Sequence, residues 1–184
     1  MPARLNRALQ VRTADRLQSS LARDQISGLP VVGALSDDDQ RELREVGGGR
    51  IAAIVFRVEW VIDAERHPRA MHEVQSLVMS EVARLIDVQV RRTDLLGSLS
   101  EDALVILAPA LDPMSAQSLG ERLRELFAGR QLELGGVQVQ VRVKVGVASR
   151  SAASPAGWTT QTLAQEAERN ASDLPPIAIV ARAM

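Results

Sequence analysis

The sequence of 184 residues is 46% hydrophobic and 24% charged, which is typical of one globular domain and not of a disordered chain. Its formal net charge of −1 argues against a nucleic acid or an anionic membrane as a general partner of its surface. Because the chain contains no cysteine, disulfides, zinc–thiolate sites and thiol catalysis are excluded.

The first segment, residues 4–26, has the spacing of apolar residues that predicts a helix. Its apolar stripe consists of Leu5, Leu9, Ala14, Leu17 and Leu21. So narrow a stripe fits a helix that packs on a partner helix, in a homodimer or with another signalling protein, or a leader helix lying on its own domain. We therefore predict a signalling or dimerisation helix over residues 1–26 and a domain over residues 27–184. With no secretory signal pattern and no apolar stretch of ~20 residues, the protein is expected to be cytoplasmic and not inserted in a membrane.

A second helix is predicted from Ser36, an N-cap followed by Asp37, Asp38 and Asp39, to the stop at residues 47–49, which are all glycine. Three consecutive carboxylates suggest a metal cluster, but consecutive helix residues point in different directions. Capping and solvation of the helix start are therefore the expected role of the three aspartates.

The remaining elements predict an α/β (α+β) domain with a mostly antiparallel central sheet flanked by helices. Predicted strands cover residues 50–58, 94–99, 103–107 and 137–147, with an edge strand at residues 177–180. Predicted helices cover residues 70–87, 113–127 and 160–171. The order contains a β-α-β-β-α-β core, which is the ferredoxin-like arrangement.

Three segments of the chain resemble the diguanylate cyclase, or GGDEF, family over roughly residues 23–171. The segment Arg23–Pro30, RDQISGLP, is similar to the family's entrance to the domain. The segment Asp94–Pro109, DLLGSLSEDALVILAP, resembles the signature hairpin in length and apolar pattern, and Val145–Ala148 resembles a later strand. The resemblance implies a nucleotide cyclase fold. It also implies a family chemistry in which two GTP molecules are joined into cyclic di-GMP with the help of two divalent cations.

The signature hairpin departs from the family pattern at the positions that the chemistry uses. Its five positions are Ser100, Glu101, Asp102, Ala103 and Leu104. Glu101 adds a bulky anion where the family has a glycine beside the guanine, and Ala103 replaces a metal ligand with a methyl group. A further acidic ligand of the family falls at Arg57 or Glu59, and these two alternatives stay open. The resemblance therefore implies a degenerate domain with no catalytic residues, no metal and no cofactor.

One functional element of the family is retained in this reading. Arg91-Arg92-Thr93-Asp94 resembles the R-x-x-D site at which family members bind cyclic di-GMP. A guanidinium matches the O6 and N7 acceptors of guanine, and a carboxylate accepts from its N1–H and amino groups. Arg92 is a candidate for a phosphate contact. The alternative is that Arg91 and Asp94 form a surface ion pair worth under ~1 kcal/mol.

Three functional hypotheses follow from this pattern. The first is a non-catalytic cyclic di-GMP receptor that binds its ligand through Arg91, Asp94 and Arg92 and acts in bacterial second-messenger signalling. The second is a protein-interaction or dimerisation module that binds no nucleotide. The third, which is the least favoured, is a residual cyclase that uses Asp102 and Glu59 to hold metal.

Overall fold

The computed structural model describes residues 2–62, 71–151, 154 and 157–171. The predicted strand at residues 177–180 lies outside these described residues. The helices are α1 (Pro2–Ser20), α2 (Asp37–Val46), α3 (Met71–Asp87), α4 (Pro113–Leu126) and α5 (Thr160–Ala171). The strands are β1 (Ile51–Val61), β2 (Leu95–Ser100), β3 (Ala103–Pro109), β4 (Gln131–Leu134) and β5 (Val137–Arg150).

The five strands form one sheet in the order β2-β3-β1-β5-β4, and each neighbouring pair is antiparallel. The predicted α+β class and the β-α-β-β-α-β core are confirmed. Strand β1 lies at the centre, and its first six residues, from Ile51 to Phe56, are buried because helices cover both faces of the sheet.

Alternate residues of β1 point into two separate hydrophobic cores. Ile54 and Phe56 belong to the core that contains the buried side chains of α3 and α4. Ala53 and Val55 face the opposite core, which contains side chains of α1, α2 and α5. This alternation follows from the two-residue period of a strand. It puts every odd-numbered β1 residue on the α5 face of the sheet.

Helix α1 lies on its own domain and ends earlier than the sequence predicts. It ends at Ser20 rather than near Ile26, because the Asp24 carboxylate accepts the backbone N–H groups of Ile26 and Ser27 and holds a turn there. Leu17 is fully buried against the domain, whereas Leu9 is 51% exposed. The prediction that α1 also dimerises remains a prediction.

The start of α2 confirms the predicted cap. The Ser36 hydroxyl accepts the Asp39 N–H at 3.2 Å, and the Asp39 carboxylate accepts the Ser36 N–H at 3.0 Å. This reciprocal pair is a capping box. Burial alone would raise the pKa of Asp39, but hydrogen bonds from Ser36 and Arg16 outweigh it and lower the pKa. The three aspartates therefore serve the helix start, as predicted.

One strand was not predicted from the sequence, and several elements end at other residues than predicted. Strand β4 is only four residues long, Gln131–Leu134, and its alternation of polar and apolar residues is too short to stand out. Strand β5 continues to Arg150, because its residues pair with β1 as far as Arg150 itself, which lies opposite Ile51. Strand β2 begins at Leu95, because Asp94 belongs to the preceding turn. Among the described residues, no helix is long and apolar enough to cross a membrane.

Candidate functional site

The signature hairpin is a tight turn between β2 and β3. Ser100 pairs with Ala103, and Glu101 and Asp102 form the exposed turn between them. The Ser100 hydroxyl donates to the Asp102 carboxylate at 2.8 Å. The Asp102 carbonyl accepts the N–H of Val58 in β1 at 2.8 Å. The hairpin is thus joined to the central strand by its backbone as well as by its side chains.

Arg57 of β1 joins the hairpin to α5. The strand register puts Arg57 directly opposite Ala103 on one side and Lys144 on the other. The Arg57 Nη2 donates to the Glu168 carboxylate at 3.0 Å, and its Nε lies 3.6 Å from the Asp102 carboxylate. Of the two positions left open by the sequence, Arg57 and Glu59, it is therefore Arg57 that faces the fourth hairpin residue.

Glu59 is engaged by a neighbouring cation. It lies two residues beyond Arg57 on the same face of the sheet, and its carboxylate lies 2.6 Å from the Nζ of Lys144. Lys144 is 9% exposed and Glu59 is half-buried, so this is a partly buried ion pair. We call Arg57, Glu59, Asp102, Lys144 and Glu168 the hairpin cluster.

The hairpin cluster does not fit a divalent cation. Magnesium takes oxygen ligands in octahedral geometry, and Ala103 offers only a fully buried methyl group. Two of the carboxylates already face Arg57, and Glu59 faces Lys144. Within the part of the chain that the structure describes, no three His, Asp or Glu residues are grouped so as to hold a metal ion.

The second candidate region is the turn Arg91–Asp94 between α3 and β2, which we call the Arg91 loop. The Asp94 carboxylate accepts the backbone N–H of Arg91 at 3.1 Å and the Thr93 hydroxyl at 3.3 Å. Asp94 is 5% exposed. Burial raises its pKa, and the hydrogen bonds and the charge of Arg91 oppose that shift only in part. Asp94 therefore fixes the loop from within.

The two arginines of the Arg91 loop are exposed. The guanidinium of Arg92 lies 3.3 Å from the carboxylate of Asp15 in α1, with both side chains largely in solvent. Such a pair stabilises the fold by little. Arg92, the predicted phosphate contact, is thus paired with α1. The side chain of Arg91 borders open space on two sides.

Two clefts meet at Arg91. The α4 cleft, of about 470 Å³, is lined by Gln89, Arg91, Leu111, Met114, Ser115, Ser118, Leu119 and Arg122. The α1 cleft, of about 340 Å³, is lined by Asn6, Arg7, Gln10, Arg91 and Thr93. Neither cleft has a carboxylate among those of its lining residues that the structure describes. Both therefore present positive charge to solvent.

Arg122 and Arg7 were missed by the sequence analysis. Arg122 lies on α4, where its guanidinium donates to the Gln89 carbonyl at 3.4 Å, and Arg7 lies on α1. Each is far from the Arg91 loop in sequence, and each belongs to a helix that contains at least one other arginine. No pattern in the sequence distinguishes these two from the rest.

Comparison with known proteins decides the family. The family model described as "Diguanylate cyclase, GGDEF domain" matches residues 72–174, which include the Arg91 loop and the hairpin. The chain belongs to the GGDEF domain family. Its family places it in cyclic di-GMP signalling. Among curated protein sequences, none matches the chain significantly.

Solved GGDEF structures share the fold at low sequence identity. The GGDEF domain of FimX from Pseudomonas aeruginosa is 18% identical with a TM-score of 0.64, over 82% of this chain and 91% of that one. The diguanylate cyclase SiaD from Pseudomonas aeruginosa, in complex with its activator SiaC, is 20% identical with a TM-score of 0.63, over 92% of this chain and 64% of SiaD.

A third solved structure contains cyclic di-GMP. The coiled coil and GGDEF domain of DgcB from Caulobacter crescentus, in complex with cyclic di-GMP, is 18% identical with a TM-score of 0.61, over 92% of this chain and 85% of that one.

The GGDEF family model begins at residue 72, so the resemblance of residues 23–71 lies outside its match.

Proposed function

We propose that this chain is a non-catalytic GGDEF domain that binds cyclic di-GMP at the Arg91 loop. The observation that carries the proposal is the placement of Arg91. Its backbone N–H is held by the buried Asp94 carboxylate, while its side chain borders two clefts whose described lining residues include no carboxylate. The backbone of Arg91 is thus anchored while its guanidinium stays free to bind an anionic ligand that also offers planar acceptors.

The α4 cleft has the chemistry for a guanine nucleotide. Arg91 and Arg122 both line it, and a guanidinium donates to guanine O6 and N7 in a bidentate manner. Met114, which is 77% exposed, offers apolar surface to a purine face. In this proposal Asp94 acts mainly as a positioning residue for Arg91, and Arg92 exchanges its exposed ion pair with Asp15 for a contact to a ligand phosphate.

Calorimetric titration with cyclic di-GMP tests the proposal. We expect saturable binding at tens of micromolar ligand or below, and a loss of about tenfold or more in affinity on Arg91→Ala, since a bidentate arginine–guanine contact is worth ~1–3 kcal/mol. Arg91→Lys keeps the charge but not the fork, and should bind nearly as poorly as Arg91→Ala.

The matched control for this titration is Arg41→Ala. Arg41 is an exposed arginine of α2, paired with Asp38 and absent from both clefts. It should bind cyclic di-GMP like the original chain. No heat at tens of micromolar ligand, or equal affinity after Arg91→Ala, would contradict the receptor proposal.

We also propose that the chain lacks cyclase activity. This rests on three features of the hairpin: the sequence SEDAL at residues 100–104, the buried methyl of Ala103, and the cation Arg57 opposite it. The alternative of a residual cyclase using Asp102 and Glu59 is disfavoured because Arg57 and Lys144 already face those carboxylates.

Incubation with GTP and either magnesium or manganese, followed by chromatography, tests the lack of activity. We expect no cyclic di-GMP to form. The same preparation should bind added cyclic di-GMP, which shows that the protein is folded. Formation of cyclic di-GMP above a protein-free blank would refute the non-catalytic assignment and leave the receptor site to be judged by the titration.

A second candidate is an interaction or dimerisation module that binds no nucleotide, in a homodimer through α1 or with another signalling protein. The exposure of Leu9 on α1 favours it, because this apolar side chain is uncovered within the chain. SiaD, which shares the fold, is held in complex with a protein activator. A thermal shift caused by cyclic di-GMP separates the two candidates, since the interaction module predicts none.

A further inference from the structure

The part of α1 that contacts α2 begins at Gln10, which also lines the α1 cleft. The Gln10 side-chain amide donates to the Val46 carbonyl at 2.7 Å, and the buried Thr13 hydroxyl donates to the Glu42 carboxylate at 2.6 Å. Arg16 follows with an ion pair to Asp39 at 2.8 Å. From Gln10 onward, therefore, α1 is held on α2 by polar contacts.

The preceding turn of α1 lies along the Arg91 loop. Asn6, Arg7 and Gln10 form one wall of the α1 cleft, and Arg91 and Thr93 form the other. Helix residues three and four apart share a face, so Arg7 is placed on the same side of α1 as Gln10. Two guanidinium groups from distant parts of the chain thus face one cleft.

Arg7 and Arg91 give the α1 cleft positive charge, although the charge of Arg91 also acts on the buried Asp94 carboxylate. In the described residues, neither the Arg7 nor the Arg91 guanidinium makes an ion pair. The remaining polar groups of the walls are the side-chain amides of Asn6 and Gln10 and the hydroxyl of Thr93. Amide and guanidinium N–H groups are donors for the oxygens of a phosphodiester.

We infer that α1 supplies Arg7 as a second anion contact for the ligand at Arg91, so that the bound ligand bridges α1 to the domain. This inference rests on the proposed function. Because Arg91 borders both clefts, a cyclic dinucleotide can place one end in the α4 cleft and turn a phosphodiester to Arg7. Ligand binding then fixes the first turns of α1, and the position of α1 in turn sets the ligand affinity.

The test is the cyclic di-GMP titration of Arg7→Gln beside Arg12→Gln. Arg12 is an exposed arginine of the same helix that lines neither cleft, so both variants lose one positive charge from α1. We expect Arg7→Gln to weaken binding about tenfold, as for one charge-assisted contact, and Arg12→Gln to change it by about twofold at most. Arg7 is exposed, and thermal melting checks that the variant is folded.

A second readout follows the helix itself. Amide hydrogen exchange of residues 6–13 should slow on addition of cyclic di-GMP in the original chain and in Arg12→Gln, but not in Arg7→Gln. Equal affinities for Arg7→Gln and Arg12→Gln, with the original chain binding normally, would overturn the role of α1 and leave the proposed function intact. If the original chain binds no cyclic di-GMP, both the proposed function and this inference are overturned.

Discussion

Gly146→Ala should destabilise the fold by about 3 kcal/mol, the upper range for an overpacked core position. A Cβ at Gly146 would lie 1.9 Å from the Ala167 carbonyl oxygen and 2.5 Å from the Ala171 nitrogen. Both are backbone atoms of α5, so no side-chain rotation relieves the overlap, and the helix itself must move away from β5. Chemical denaturation followed by circular dichroism measures the loss.

The displacement of α5 should also reach the hairpin cluster. Leu163, Ala164 and Ala167 bury the inner face of α5, and Glu168 on the same helix holds Arg57. Gly33→Ala is the matched control, because a Cβ there meets no heavy atom within 4 Å. It should change the free energy of unfolding by under about 0.5 kcal/mol. Equal denaturation midpoints for the two variants would show that α5 is not seated on Gly146.

The sequence predicted correctly those features that depend on residues close together in the chain. Ser36 and Asp39 form the predicted cap because both members of a capping box lie within one turn. The end of α1 could not be placed in the same way. Its apolar spacing continues to Leu21, but the Asp24 side chain stabilises a competing turn that stops the helix at Ser20.

Only part of the candidate site could be predicted from the sequence. The rest depends on strand register and on how the helices pack. Arg91 and Asp94 stand out as a motif, but the burial of Asp94 results from packing that the motif does not encode. That Arg57 rather than Glu59 lies opposite Ala103 follows from the register of β1 with β3, which the sequence does not show. Arg7 reaches the Arg91 loop only because α1 folds back onto α2.

Leu17→Ala should destabilise the protein by about 3 kcal/mol, within the range for large-to-small changes in a core. Leu17 is fully buried in the core that also contains Val32, Leu43 and Leu95. Removing its side chain leaves a cavity between α1 and the α5 face of the sheet. Denaturation by urea measures the change, and ligand affinity should fall as well if α1 carries part of the site.

The control on the same helix is Leu9→Ala. Leu9 is 51% exposed, and both variants make the same change in helix propensity, so the difference between them isolates burial. We expect Leu9→Ala to cost under about 1 kcal/mol. If the helix over residues 1–26 folded separately from a domain over residues 27–184, the domain would unfold at the same denaturant concentration in both variants. A large difference shows instead that α1, which forms one wall of the α1 cleft, is part of the folding unit.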